Sequence, residues 1–338
     1  MDDNMHLLAK NSELIAQIHE ELPNLKSEFE NIKSLRNQTV NDENFNSAIN
    51  SVYQIFQYVP LLTSHLNSFD MPLFRARPND QKNVLFSKET EISYNSTNKS
   101  VIRAGRFNGP NQAVFYASLP VDDGDINPSM AACLETCKGL TDQHYPVHLK
   151  DFTIGRWKIQ SPFFVVNLCF DEEHLKGNRS LKHATEVYIK TIKDCLNKEA
   201  SDFIISFFTY FSEMSGRKTP TKNEYYILTA LFYAVKYYYQ KSVNQIVYGL
   251  IYPSAMTEAK GLNVVLTTDA VDKYLRLDKV AMYRFMLDNQ NTFYATPCSK
   301  AVDIKNGRFI LLDHIWIPEN KLYTIECESE TGPLKEMK

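Results

Sequence analysis

The sequence predicts an α+β fold in which helices are grouped rather than alternating strictly with strands. Three observations predict it. Residues 1–67 carry helical periodicity, short strand-like runs punctuated by Gly, Pro, Asn and Asp begin near Leu73, and a Phe/Ile-rich stretch followed by a Tyr-rich one marks a helical middle.

In the amino-terminal stretch Ile15, Ile18, Leu22, Leu25, Phe29 and Ile32 step by three and four, which places them on one helix face. Pro23 lacks a backbone donor and predicts a break into two helices there. Ile49, Val52, Ile55 and Phe56 give a second apolar pattern. These helices either pack on their own domain or serve a partner or self-association through a heptad-like seam. Residues 1–67 are therefore read as a helical extension and 68–338 as the main domain, with an enlarged middle over about 139–222.

Within the main domain, residues 73–77, 113–117 and 163–168 read as strands, and residues 130–138 as a short helix closed by Gly139. Residues 183–214 read as one long helical region. The polar loop at 215–220 separates it from a tyrosine-rich helix near 223–240. Strands are expected at 246–252 and 262–267, split by the turn at Pro253-Ser254, and again at 309–312 and 322–325.

Composition narrows the function. Of 338 residues, 43% are hydrophobic, 23% charged and 12% aromatic, the profile of a folded soluble chain. A net charge of −3 argues against a nucleic-acid binder as a whole. No apolar run approaches the roughly 20 residues of a membrane span. The acidic start, Met1-Asp2-Asp3-Asn4, does not lead into a secretory signal, and six cysteines are too few for a disulfide scaffold, so a reduced, cytoplasmic chain is expected. With 11 glycines, and no P-loop, GxGxxG, GxSxG or HExxH, the common nucleotide, hydrolase and zinc signatures are missing. Cys133 and Cys137 sit at helical spacing without a second pair, and Pro146 separates His144 from His148, so no metal is expected. Tyr237, Tyr238 and Tyr239 read as a packed aromatic helix, since only Lys236 and Lys241 stand near them.

Three separated blocks carry polar residues that need an explanation. Arg75 and Arg77 alternate on an extended stretch and so point the same way. Gly105-Arg106-Phe107-Asn108-Gly109 is followed by Tyr116 in a strand and by Glu135 within an apolar short helix. Tyr252-Pro253-Ser254 precedes Gly261-Leu262-Asn263-Val264-Val265-Leu266. A glutamate in so apolar a helix calls for a partner, and the arginines are its natural candidates. Taken singly, each arginine also reads as a surface ion-pair member, Ser254 as a turn residue and Tyr116 as core.

In this order the three blocks resemble the RES domain, a family named for an Arg, a Glu and a Ser. The resemblance covers residues 73–266 and is concentrated in the three blocks. Phe107 stands where that family usually shows Trp, the loop before Glu135 is longer, and the helical extension and the middle lie outside the pattern. The resemblance implies a fold like that of ADP-ribosyltransferases and the toxin role of a bacterial toxin–antitoxin pair. The activity it implies is consumption of NAD⁺ as substrate by phosphorolysis or hydrolysis of the nicotinamide–ribose bond. The alternatives are protein ADP-ribosylation and a non-catalytic nucleotide-binding or partner module.

The residue types suit that chemistry. Arginine forks bind phosphate oxygens bidentately, so Arg75, Arg77 and Arg106 are expected at the pyrophosphate of NAD⁺ or at an attacking inorganic phosphate. Breaking the glycosidic bond develops oxocarbenium character, which an ionised Glu135 would stabilise. Tyr116 is expected to stack on nicotinamide or orient the ribose. Asn108 would fix its turn or bond the substrate, and Ser254 would donate to ribose or phosphate. A cognate antitoxin protein is the partner implied.

Overall fold

A computed structural model describes residues 11–67, 72–79, 85–121, 127–136, 148–243, 245–257, 261–287, 293–312, 323–325 and 334–336. Asn11 starts helix α1 (Ser12–Ser34), its side chain accepting from the Leu14 N–H at 3.0 Å. The helix runs through Pro23 without interruption, against the expected break. The proline costs about 3 kcal/mol in a helix interior. Burial of Ile18, Leu22, Leu25, Phe29 and Ile32 on one face outweighs it, at about 1.5–3 kcal/mol for each such side chain. Asn41 caps α2 (Asp42–Phe56) in the same way, accepting from the Asn44 N–H at 2.7 Å.

The chain then enters strand β1 (Thr63–Leu66), not a continued helix, and β2 (Leu73–Pro78). A short helix, α3 (Glu89–Ile92), precedes β3 (Phe115–Leu119) and α4 (Pro128–Thr136). Cys137, Gly139 and His144 lie outside the described residues. A long strand, β4 (His148–Ile159), follows, and then the short β5 (Phe163–Asn167). Next come α5 (Glu172–Lys176), α6 (Arg179–Cys195), α7 (Lys198–Ser215) and α8 (Lys222–Tyr238). The single helical region expected over 183–214 is thus two helices, because Asn197 caps α7 by accepting from the Ala200 N–H at 2.9 Å. Strands β6 (Val247–Pro253) and β7 (Leu262–Leu266) lead to α9 (Thr268–Tyr274). The hairpins β8 (Leu275–Leu287), β9 (Phe293–Lys305) and β10 (Arg308–Leu312) complete the main sheet, and β11 (Tyr323–Ile325) pairs with β12 (Leu334–Glu336).

Among the described residues ten strands form one sheet in the order β1-β5-β6-β7-β3-β2-β4-β8-β9-β10. The fold is α+β. Among the described strands only β5 and β6 run parallel, and a parallel pair needs a crossover, which α5 to α8 supply. The enlarged middle thus contributes strands β4 and β5 to the sheet as well as most of this crossover. The expected boundary at residue 67 falls between β1 and β2, two strands of that same sheet.

Two apolar layers cover the central strands. On one face α1, α2, α6, α7 and α8 share a cluster with Val166, Leu250 and Val265. Phe29 meets Phe203, Phe207 and Tyr210 edge-on at 5.3–6.0 Å, so the apolar stripe of α1 is occupied within the chain. Tyr238 and Tyr239 join this layer, while Tyr237 is half exposed beside Tyr53. Glu224, 1% exposed, closes the capping box of α8 and pairs with Arg36 and Arg217. On the other face Phe163 and Val165 of β5 share a cluster with Trp157 of β4 and Leu277 of β8. Strands from opposite halves of the sheet thus enclose one core, and the sheet curls around it. Every residue of β6 and β7 is buried. Gly249 permits their close approach, since a Cβ there would lie 2.0 Å from the Val265 carbonyl oxygen. No helix among the described residues is long and apolar enough to cross a membrane.

Candidate active site

Strands β2 and β3 pair at a single position, Phe74 with Ser118, and then part. The guanidinium of Arg75 fills the opening. Its Nη1 donates to the Tyr116 carbonyl oxygen at 2.7 Å, its Nε donates to the Ser93 carbonyl oxygen at 3.2 Å, and its Cζ stands 5.0 Å from the centre of the Phe115 ring. A cavity of about 260 Å³ opens at this seam. Arg75 and Arg77 line it from β2, Arg106 from the turn before β3, Glu135 from α4, and Tyr116 from β3 itself.

The turn that presents Arg106 is built by Asn108. Gly105 and Asn108 form a bridge in which the Gly105 N–H donates to the Asn108 carbonyl oxygen at 2.9 Å. The Asn108 side chain, 4% exposed, donates through Nδ2 to the carbonyls of Arg103 and Gly109 and accepts the Tyr116 hydroxyl proton at 2.9 Å. The same hydroxyl accepts from the Phe107 N–H at 2.9 Å. Of the two roles open to Asn108, the geometry fits fixing the turn. Tyr116 offers the ligand its ring, because its hydroxyl is engaged on both sides. Burial holds that phenol above its usual range, so it stays neutral. Phe107 turns the other way, fully buried against Tyr252 at 4.8 Å between ring centres.

Glu135 reaches the cavity because α4 begins with Pro128, where a missing N–H costs nothing, and packs Leu134 against Ala255 and Met256. Its Oε1 accepts from the Ser254 hydroxyl at 2.6 Å and from the Met256 N–H at 3.2 Å. Oε2 has no partner among the described residues. The expected pairing of Glu135 with the arginines is not found there either: Ser254, 1% exposed at the end of β6, takes that place. Ser254 does not line the cavity, and its only proton already goes to Glu135, so it positions the carboxylate instead of touching a ligand. Behind it, His174 Nε2 lies 3.2 Å from the Ser254 carbonyl oxygen and Nδ1 lies 2.7 Å from Asp171 Oδ1.

The cavity is strongly electropositive. Arg106, 6% exposed, has both terminal guanidinium nitrogens buried and unpartnered, as is Nε of Arg77. Burial pulls the Arg75 pKa down to about 9, and the neighbouring Arg77 charge adds to the fall. Burial also lowers the Arg77 pKa. Desolvated like charges with open donors are costly unless an anion meets them. Three guanidinium groups face one carboxylate that is already held elsewhere, so the cavity is complementary to an anion such as a phosphate, which offers paired oxygens to a guanidinium fork. Arg75 serves mainly as wall and charge, since two of its donor groups already hold main-chain carbonyls.

Tyr225 and Ser118 also line the cavity without having been singled out in the sequence, as do Tyr252 and Asn263, which stood in the third block without a role assigned to them. A usable signal existed for two of them. Tyr252 and Asn263 interrupt the otherwise apolar runs Val247–Pro253 and Leu262–Leu266, in strands buried on both faces. Among the described residues no group of three or more His, Cys, Asp or Glu side chains is arranged to hold a metal. No family model matches the chain, and no curated protein matches it.

Proposed function

We propose that the chain consumes NAD⁺ in the cytoplasm by cleaving the nicotinamide–ribose bond, with inorganic phosphate or water as acceptor. The observation that carries this reading is the pairing, in one cavity, of buried guanidinium donors without partners and a carboxylate with one oxygen locked by Ser254 and the other unengaged. Arg77 and Arg106 would hold the pyrophosphate, with Arg75 adding charge from the wall. Glu135 would stand beside the ribose. As the bond to nitrogen breaks, its electron pair passes to the pyridinium ring and nicotinamide leaves neutral. Positive charge then develops on the ribose, where a fixed carboxylate in a site with little water stabilises it. An oxygen of phosphate or water closes the new bond to the same carbon. A water would release its proton, and phosphate would give ADP-ribose-1″-phosphate.

The reading draws on this geometry together with the order of the three sequence blocks. The ADP-ribosyltransferase-like arrangement and an antitoxin that restrains the activity belong to the same proposal. Incubation of the purified chain with NAD⁺, with and without phosphate, tests it. Release of nicotinamide is expected, with free or phosphorylated ADP-ribose as co-product. Label fixed to protein instead would make the chain a protein ADP-ribosyltransferase, and absence of nicotinamide release would overturn the reading.

A further inference from the structure

Across the centre of the sheet, Tyr252 of β6 is paired with Asn263 of β7, and Asn263 is paired with Ser118 of β3. Directly opposite residues of antiparallel strands present their side chains on the same face. The three therefore form one polar row, and all are buried, with exposures of 3%, 2% and 1%. All three line the cavity. A polar row in the most deeply covered strands of a protein calls for hydrogen-bond partners.

The row is only partly satisfied from within. The Ser118 hydroxyl donates to Asn263 Oδ1 at 2.9 Å, which fixes the plane of the amide. Asn263 Nδ2 is buried without a partner. The Tyr252 hydroxyl makes no hydrogen bond among the described residues, and its ring is held by Phe107. What remains open is the NH2 group of Asn263, with two N–H donors, beside one hydroxyl that donates or accepts. Burial and the nearby Glu135 carboxylate push the Tyr252 phenol well above its usual range, so the hydroxyl keeps its proton and the row stays neutral.

We propose that Tyr252 and Asn263, braced by Ser118, form a specificity floor that reads a neutral primary carboxamide on the ligand. The carboxamide oxygen accepts from Asn263 Nδ2, and its N–H donates to the Tyr252 oxygen. A carboxylate in the same position brings no N–H for the Tyr252 oxygen, and Glu135 is the charge that acts most strongly on that hydroxyl, ahead of Arg106 and Arg75. Phosphates go to the open donors of Arg77 and Arg106. Identifying this group with the nicotinamide end of NAD⁺ rests on the function proposed above; the match between row and carboxamide does not.

The test uses the full chain and two probes, free nicotinamide and ADP-ribose, with binding measured by calorimetry. Wild-type protein is expected to bind nicotinamide about ten-fold or more tightly than nicotinic acid, because a site built to hydrogen-bond one group rejects its analogue. Tyr252→Phe keeps the ring against Phe107, and Asn263→Leu removes the donor. Each is expected to weaken nicotinamide by about ten-fold while ADP-ribose stays within about two-fold. Equal binding of nicotinamide and nicotinic acid by the wild type, or equal loss of both probes in Tyr252→Phe, would overturn the floor. Selective nicotinamide binding by a chain that releases none from NAD⁺ would support the floor and sink the cleavage reading alone.

Discussion

The hydroxyl of Ser254 donates to Oε1 of Glu135 at 2.6 Å, joining the end of β6 to the last turn of α4 across 119 residues of sequence. This bond makes the carboxylate a fixed charge instead of a mobile one. Glu135→Gln is expected to reduce nicotinamide release by about 10²–10³-fold, the usual cost of removing one preorganised electrostatic group. The thermal midpoint should hardly move. Ser254→Ala frees the carboxylate without removing it and should cost less, with the loss in kcat instead of KM. A Glu135→Gln protein turning over at the wild-type rate would show that the carboxylate takes no part.

The wall charge gives a pH dependence. Arg75 has its pKa lowered to about 9 by burial and by Arg77, so it is positive at neutral pH and loses its proton as the pH rises through that value. The pyrophosphate of ADP-ribose keeps its charge over the same range. Affinity for ADP-ribose should be flat between neutrality and mildly alkaline pH, then fall by up to about ten-fold per pH unit. Titration calorimetry in matched buffers reads the slope. A flat profile through this range would remove Arg75 from the electrostatics of the site.

The Arg106 turn has no room for a methyl group. A Cβ on Gly105 would lie 2.5 Å from Asn108 Oδ1 and 3.0 Å from the Tyr116 hydroxyl. Gly105→Ala is expected to destabilise the protein by about 1–3 kcal/mol, as overpacking does, and to break the Tyr116–Asn108 bond. Urea unfolding measures the first effect, and ADP-ribose affinity measures the displacement of Arg106.

Away from the site, Asp278 sits between Arg156 and Lys158. Burial raises its pKa, but the hydrogen bonds and charges of the two bases outweigh that and hold it below its usual 3.8. A lowered carboxylate pKa stabilises the fold above that usual value, and the benefit fades as the pH falls through the folded-state value. Asp278→Asn should therefore cost stability at neutral pH, and the cost should shrink progressively as the pH falls below 3.8 toward the folded-state value. Equal losses at neutral pH and below 3.8 would show that the pair contributes by packing alone.

Much of the helical layer and the central strands was legible because burial leaves a period. The stripe from Ile18 to Ile32 and the apolar runs of β6 and β7 carry their environment in their composition. Strands β4, β8 and β9 were not legible. In β4 and β8 charged positions find partners across the ladder, as Arg156 does with Asp278 and Arg284 with Asp151, so those runs read as polar. Arg75, Arg77, Arg106, Tyr116 and Glu135, named from the sequence, line one cavity; Ser254 spends its proton on Glu135 instead of a ligand, and Asn108 fixes its turn, one of the two roles its sequence left open. What local sequence does not encode is register. Nothing in the runs around Tyr252 and Asn263 says that they stand opposite each other, and only that alignment turns two isolated polar residues into a row.

The single pairing of Phe74 with Ser118 has a mechanical consequence. Arg75 and Arg77 belong to the half of the sheet that continues through β4 and β8, and Tyr252, Asn263 and Ser118 belong to the half that runs to β1. A molecule grasped by both sets acts as a staple between two plates that the main chain joins at one rung. Binding that engages both sets is expected to stiffen the protein, with the bound molecule adding to what holds the two plates together.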